Sequence, residues 1–576
     1  MGTTSTRPFF AGPWSTARKL CLAGAAAGLI ALLAGTGVTA AAFQDQSHAA
    51  AELATEPSLR SLPVANDQSA GSALFVTRFG ELFVSGLRNS GDGAGRGNTP
   101  ATAPPNKVEF PDGVRIVKAA GSSNDFSYLS STSYAALDDD GTVWTWGSSY
   151  GSNNRLLGRG PLSANQTYTP GPVRRTMDGT PMPRIVNLER SENQFYALDA
   201  DGRMWVWGYG GENLPVSGYT AAQATFPVQA NRIAATLSAG DCVSGTNAGG
   251  EVRWHSIWGG NNSSGAVSTS GLVYTWGFDH SDGLGTAQNT QRCPYLNQGA
   301  NQALFAAYPE LYKDAQGRSF VESELIGATP AATAALRSAR MRDIASHMSA
   351  SVLPACAGTA AHAVVDDGDC PVRQLGFSSR APRMLLQNGD LYTWQTSTDS
   401  YGTGFLGRAN STDPNAKDSR YRPVVALRNV DRVSPGISSV QALVAGTGSG
   451  GGTVYGWGSN NYCQAIGVHR NAGIPCSSEA AGEVVALPQK VAGLPADVTA
   501  VSSTQCASWA ATADGAMYAW GAGTVVGLNY NRCVQAPAAY SGYRIHDLTQ
   551  ATSAVPFGQP VRSRATGTLK VLDGDN

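Results

Sequence analysis

The side chains able to do chemistry are few and scattered along the chain. Seven histidines stand at His48, His255, His280, His347, His362, His469 and His546. They form no HExxH pair, and no GxSxG segment occurs. Two imidazoles on one helical face for zinc, and a serine raised on a strand-to-helix elbow, are therefore both missing. Residues 446–452 read GTGSGGG and imitate a phosphate cradle. No helix follows to present its N-terminal amides, so a hairpin turn is the better reading. Asp138, Asp139 and Asp140, like the DDGD at 366–369, gather carboxylates without the alternating spacing of a calcium loop, and read as solvated turn acids. Asn165, Asn261, Asn262 and Asn410 open N-x-Ser/Thr sequons, which matter only in a glycosylating host. This pattern assigns no catalytic residue, no metal ligand and no cofactor, and it leaves the ligand-binding residues unidentified.

Cysteines are the reactive groups with an organised distribution. Beyond Cys21 there are eight: Cys242, Cys293, Cys356, Cys370, Cys463, Cys476, Cys506 and Cys533. The number is even and no CxxC occurs, so thiolate metal ligation is disfavoured and structural disulfides in an oxidising compartment are expected. Pairing of sequence neighbours is the simplest of the many connectivities, because each pair then flanks one loop or one repeat. Closing a loop the size of Cys506 to Cys533 contributes on the order of 3 kcal/mol in the chain-entropy model.

The N-terminus agrees with that compartment. Residues 1–19 carry Arg7, Arg18 and Lys19 and no acid, and Leu20 to Ala34 is an unbroken apolar run. Small residues follow, so residues 1–42 read as an export signal cleaved near Ala40 to Ala42. An uncleaved membrane anchor is the competing reading, since Leu20 to Phe43 is long enough to span a bilayer. The chain has 41 Lys and Arg against 42 Asp and Glu, and only 14% charged residues, well below the roughly 25% of an average domain. A basic surface for nucleic acid is excluded. With 42% hydrophobic residues and 12 Trp, disorder is excluded too.

A repeated unit supplies the elements that position these residues. A glycine turn and an alternating strand ending in Trp-Gly recur as DDGTVWTWG (139–147), ADGRMWVWG (200–208), TSGLVYTWG (269–277), QNGDLYTWQ (387–395), GGGTVYGWG (450–458) and ADGAMYAWG (513–521). RFGELFVSG (78–86) is a degenerate copy. The signature residues are Gly141, Trp146 and Gly147; Gly202, Trp207 and Gly208; Gly271, Trp276 and Gly277; Gly389 and Trp394; Trp457 and Gly458; and Gly515, Trp520 and Gly521. Gly80 and Gly452 take the turn position in the remaining two copies. A hairpin turn needs positive φ, and period-two alternation places the aromatic residues on one face of a half-buried strand. The aromatics read as core, ahead of a carbohydrate-stacking role.

Most intervals between copies run from 61 to 69 residues, and one is 118. Such a unit holds about four short strands, one propeller blade. Pro-Val pairs (Pro172-Val173, Pro227-Val228, Pro423-Val424, Pro560-Val561) and strands such as VRIVKAAG (114–121) precede the hairpins. Aliphatic-Gly steps (Leu157-Gly158, Leu284-Gly285, Leu406-Gly407, Ile466-Gly467) follow them. The fold class expected is all-β, a seven-bladed β-propeller over residues 72–576, closed by N- and C-terminal strands. QPVRSRATGTLKVL (559–572) would complete the blade that FVTRFGELFVSG (75–86) begins. Residues 43–71 read as a polar linker, and the long interval as an insertion near 290–340 with a helix around Pro330 to Arg340.

DDGTVWTWGSSYGSNNRLLGRG (139–160), followed by PGPV (170–173) and PRIVN (183–187), resembles the regulator-of-chromosome-condensation repeat: a Gly turn, an aromatic strand, Trp-Gly and Leu-Gly. The likeness runs from residue 72 to about 573, with Ser85 and Gln395 departing from the expected Trp and Gly. The resemblance implies the propeller scaffold. The nuclear nucleotide-exchange and histone-binding activity of other members does not fit an exported, disulfide-bearing, mildly acidic chain. A secreted actinobacterial propeller of this family inhibits β-lactamases, which shows what the scaffold can do outside the cell. Expected here is a secreted or cell-surface, non-enzymatic scaffold that binds a protein or surface ligand through loops of one face. An enzyme inhibitor, or an exported enzyme with a central-channel site, is the alternative. Nucleic acid is not an expected partner, and membrane contact would come only through an uncleaved N-terminal segment.

Overall fold

The computed structural model describes residues between Val64 and Asp547, with interruptions. Outside the description lie 1–63, 87–105, 123–132, 209–224, 232–250, 279–289, 320–342, 357–369, 395–404, 409–422, 469–482, 522–545, 548–576 and several shorter stretches. The expected signal at 1–42, the helix at 330–340 and the closing strands at 559–572 fall there.

Among the described residues twenty-eight strands form seven four-stranded antiparallel meanders, the seven blades. Blade 1 is β1 (Val64–Ala65), β2 (Ser72–Val76), β3 (Leu82–Gly86) and β4 (Asn106–Lys107). Blade 2 is β5 (Ile116–Ser122), β6 (Ser133–Asp138), β7 (Val143–Ser148) and β8 (Gln166–Pro172). Blade 3 is β9 (Ile185–Arg190), β10 (Gln194–Asp199), β11 (Met204–Gly208) and β12 (Val228–Gln229). Blade 4 is β13 (Trp254–Trp258), β14 (Ser263–Ser268), β15 (Val273–Phe278) and β16 (Thr290–Leu296). Blade 5 is β17 (Val372–Gly376), β18 (Arg383–Leu386), β19 (Leu391–Thr393) and β20 (Val424–Leu427). Blade 6 is β21 (Val430–Val433), β22 (Ser439–Ala445), β23 (Gly452–Ser459) and β24 (Val484–Lys490). Blade 7 is β25 (Val498–Ser503), β26 (Ala507–Thr512), β27 (Met517–Gly521) and β28 (His546–Asp547).

First strands of successive blades adjoin one another, β1 beside β5, β5 beside β9, and β9 beside β13. The first strand of blade 7, β25, adjoins β1. All four strands of blade 1 come from residues 64–107. Val64 and Ala65, inside the stretch read as a linker, are its first strand and pair with Leu74 and Ala73.

The middle strands explain why the repeat is so apolar. β6, β10 and β14 are buried along their whole length, because each is covered on both faces by the neighbouring blades. Trp146, Trp207, Trp276, Trp394, Trp457 and Trp520 are wholly buried, which makes them core as expected. Tyr134 stacks on Trp146 across the β6–β7 pair at 5.6 Å, and Phe110 meets the same indole edge-on at 5.7 Å.

The aliphatic-Gly step has a purpose that spacing did not reveal: it is the seat for the tryptophan of the next blade. Leu156 carbonyl of blade 2 accepts Trp207 Nε1 of blade 3 at 3.2 Å. Phe405 carbonyl of blade 5 accepts Trp457 Nε1 of blade 6 at 2.9 Å, and Gln464 carbonyl of blade 6 accepts Trp520 Nε1 of blade 7 at 3.0 Å. Gly158 lies so close to the Trp207 ring that a Cβ would stand 2.7 Å from its Cδ1.

Two expectations about boundaries change. The Pro-Val strand ends a blade rather than beginning one, since Pro172 pairs with Trp144 of the preceding hairpin and Val228 with Val206. The long interval opens with β16, the fourth strand of blade 4, so the insertion starts at Asn297 and not near 290. Helix α1 (Gln298–Ala307) follows at once, with the Asn297 side chain capping its N-terminus by accepting the Ala300 N–H at 2.9 Å.

Candidate functional site

Every inner strand except the two-residue β1 carries the same irregularity. Its pairing slips by one residue after the first position: Ile116 to Lys118, Ile185 to Asn187, Trp254 to Ser256, Val372 to Gln374, Val430 to Arg432, and Val498 to Ala500. A bulge of this kind re-aims the side chains beyond it. Here it turns polar groups toward the next blade. Lys118 Nζ of β5 donates to Glu189 Oε1 at 2.6 Å and to Asn187 Oδ1 at 2.8 Å on β9. Between blades 5 and 6, Arg373 meets Asp431 at 3.1 Å, and Asp431 also faces Arg432 at 3.5 Å. Gln374 donates to Val433 carbonyl at 2.8 Å and accepts its N–H at 3.4 Å. These side chains are partly exposed; Lys118 retains 19% of its accessibility and Glu189 23%.

Deeper in the same blades lies a closed polar network. Arg383 is fully buried and donates Nη2 to Ser434 carbonyl at 2.6 Å. Burial draws its guanidinium down to about 10, still charged at neutral pH. Ser503 Oγ donates to Ser434 Oγ at 2.6 Å, and Gln441 N–H donates to the same oxygen at 2.9 Å. Gln441 Nε2 reaches Gln464 carbonyl at 2.8 Å and Ser508 Oγ at 3.1 Å. Blades 5, 6 and 7 are thus tied by hydrogen bonds among buried groups, which is cohesion rather than a binding site.

The hairpin acids divide. Asp138 is buried, a correction to the reading as a solvated acid: Oδ1 accepts Thr142 N–H at 2.7 Å and Oδ2 accepts Trp144 Nε1 at 2.8 Å. Asp199 repeats this with Arg203 N–H at 2.8 Å and Trp205 Nε1 at 2.9 Å. Asp139 and Asp140 are exposed as expected. Ala445 pairs with Gly452 across the GTGSGGG segment, which is therefore a hairpin connection, and the positive φ falls on Gly451. Gly515, the sequons and the 366–369 acids lie outside the described residues.

Of the cysteines, Cys356 and Cys370 form a disulfide. Cys293 and Cys463 are also disulfide-bonded; Cys242, Cys476, Cys506 and Cys533 lie outside the described residues. His255 is buried beside Ser256 Oγ, 3.2 Å from Nδ1. Among the described residues no three His, Cys, Asp or Glu gather closely enough to hold a metal ion.

No family model matches the chain. Among solved structures it is similar to Prp20p from Saccharomyces cerevisiae, described with its binding to Gsp1p and histones, at 16% identity over 85% of this chain and 88% of that one, TM-score 0.47. Yeast RCC1 (Prp20) bound to Kap60 gives 15% identity over 81% and 80%, TM-score 0.45. Human WBSCR16 gives 13% over 76% and 82%, TM-score 0.44. The propeller assignment rests on the seven meanders themselves.

The bulge ring escaped sequence reasoning, although a signal was present. A basic residue lies in or just before the inner strand of VRIVKAA, PRIVNLER, EVRWHSIW, PVRQLGF and NVDRVS, at differing positions relative to the bulge.

Proposed function

We propose that this chain is an exported, non-enzymatic propeller scaffold that binds a protein or cell-surface ligand through the loops of one face. The observation that carries the reading is the length of the third connections, which all emerge on one face. In an antiparallel meander the first and third connections emerge on one face, and the second connections and those between blades, the 297–371 insertion included, on the other. The second connections hold four to six residues in every blade, whereas the third run from 11 residues (279–289) to 30 (394–423). Long connections on a rigid scaffold are where recognition surfaces are built. The charges on the inner strands are engaged with one another across blades, as in Lys118–Glu189 and Arg373–Asp431, which favours a cohesive role for them over an acid–base site. Export is supported by the N-terminal segment and by the disulfides.

The test is capture from culture fluid and cell wall with the oxidised chain, in parallel with a variant whose third connections in blades 5 and 6 are shortened. Specific recovery that the shortened variant loses is expected. Recovery of no specific partner, or equal recovery by both proteins, would overturn the reading.

A further inference from the structure

On the short-turn face, four junctions between blades close in the same way. The turn-glycine carbonyl accepts the N–H of the residue opening the next inner strand: Ile116 to Gly80 at 2.8 Å, and Ile185 to Gly141, Trp254 to Gly202 and Val430 to Gly389 at 2.9 Å. Between blades 6 and 7, Gly452 pairs directly with Val498. The blade 4 to blade 5 junction is built differently, because the insertion separates β16 from β17. There the Gly271 carbonyl accepts the Tyr312 hydroxyl at 2.8 Å. Leu353 N–H donates to Thr269 carbonyl at 3.2 Å. A Cβ on Gly271 would meet Leu353 Cδ1, the Tyr312 hydroxyl and Cys356 Sγ, where a Cβ on Gly141 or Gly202 meets Ile185 or Trp254 backbone.

The same segment reaches the tight turn of blade 5, where the Tyr308 hydroxyl accepts Asn388 N–H at 3.0 Å. Its end is fixed by the Cys356–Cys370 bond, and Cys370 stands two residues before β17. Tyr312 is fully buried, and burial pushes its phenol well above the ordinary value, so the donor keeps its proton. On the opposite face the two blades touch directly: Gly260 pairs with Phe377, and the Phe377 ring covers Gly265.

We propose that the segment bearing Tyr308, Tyr312 and Leu353 is a strap that replaces the backbone bond between blades 4 and 5, and that this junction is where the ring opens, pivoting about Gly260 and Phe377. A side-chain hydroxyl on a disulfide-anchored segment can leave without unpairing any strand. The backbone bonds at the five junctions described above cannot part unless an inner strand moves.

Hydrogen exchange on the oxidised full chain tests this. With Tyr312→Phe, the Leu353 and Asn388 amides should exchange roughly five-fold faster, the factor set by one net hydrogen bond, while the Ile185 and Trp254 amides keep their rates. The Cys356→Ser/Cys370→Ser variant should act at the same two amides. Wild-type protein in sub-denaturing urea gives an independent reading, in which Leu353 and Asn388 exchange through a smaller opening than Ile185 and Trp254. Unchanged rates at Leu353 and Asn388, an equal rise at all junctions, or wild-type openings of equal size would overturn the proposal.

Discussion

Replacing Gly158 with alanine measures how firmly one blade is seated on the next. Gly158 has φ +62°, so any Cβ there costs about 1–2 kcal/mol for the left-handed backbone alone. The new Cβ would also stand 2.7 Å from Trp207 Cδ1 and 2.8 Å from its Nε1. The indole is wholly buried and already holds Leu156 carbonyl at 3.2 Å, so it cannot swing aside without losing that bond. Relieving the overlap costs a further ~1–3 kcal/mol, bringing the total to about 2–5 kcal/mol. Gly113→Ala is the control, since Gly113 has φ +88° but its Cβ would meet nothing within 4 Å. Urea unfolding of both oxidised variants, followed by tryptophan fluorescence and near-ultraviolet circular dichroism, should separate them by ~1–3 kcal/mol at unchanged m. A Gly158→Ala cost no larger than that of Gly113→Ala would refute the idea that the step is a seat for the indole.

Two other expectations concern the hairpins and the core. Asp199→Ala removes the acceptor for Asp201 N–H, Arg203 N–H and Trp205 Nε1; a loss of at least ~1.5–3 kcal/mol is expected in the same assay. Asp140→Ala, on the exposed part of a turn, should stay within about 0.5 kcal/mol; equal losses would contradict the buried role. Burial holds the phenols of Tyr196, Tyr274 and Tyr312 above the ordinary value of 10.0, so their contribution is intact below pH 10 and falls as pH rises beyond it. Tyrosinate absorbance from these three should therefore appear together with unfolding, and their titration near pH 10 in the folded protein would contradict this.

The sequence announced seven blades because each hairpin repeats the two things a tight turn and a buried strand require, a glycine and an alternating aromatic pair. It did not announce where a blade begins. Periodicity is the same whichever strand is counted first, and only the pairing of Pro172 with Trp144 decides it. The buried Asp138 was read as solvated because its neighbours Asp139 and Asp140 are exposed, and a run of three identical residues hides their separate environments. The Cys356–Cys370 pair agreed with the simplest connectivity. The cross-blade contacts of Lys118 and Arg373 depend on a one-residue bulge, which composition does not encode.

The seat-and-indole contact has a direction. In the three contacts described, the carbonyl lies in the earlier blade and the tryptophan in the later one, as in Leu156 with Trp207 and Gln464 with Trp520. A chain emerging from its N-terminus thus exposes each acceptor before the donor has been made, and each newly finished hairpin secures the blade behind it. Assembly is then vectorial: a chain halted at any length leaves a single unfilled seat at its growing end, and the blades already made are complete.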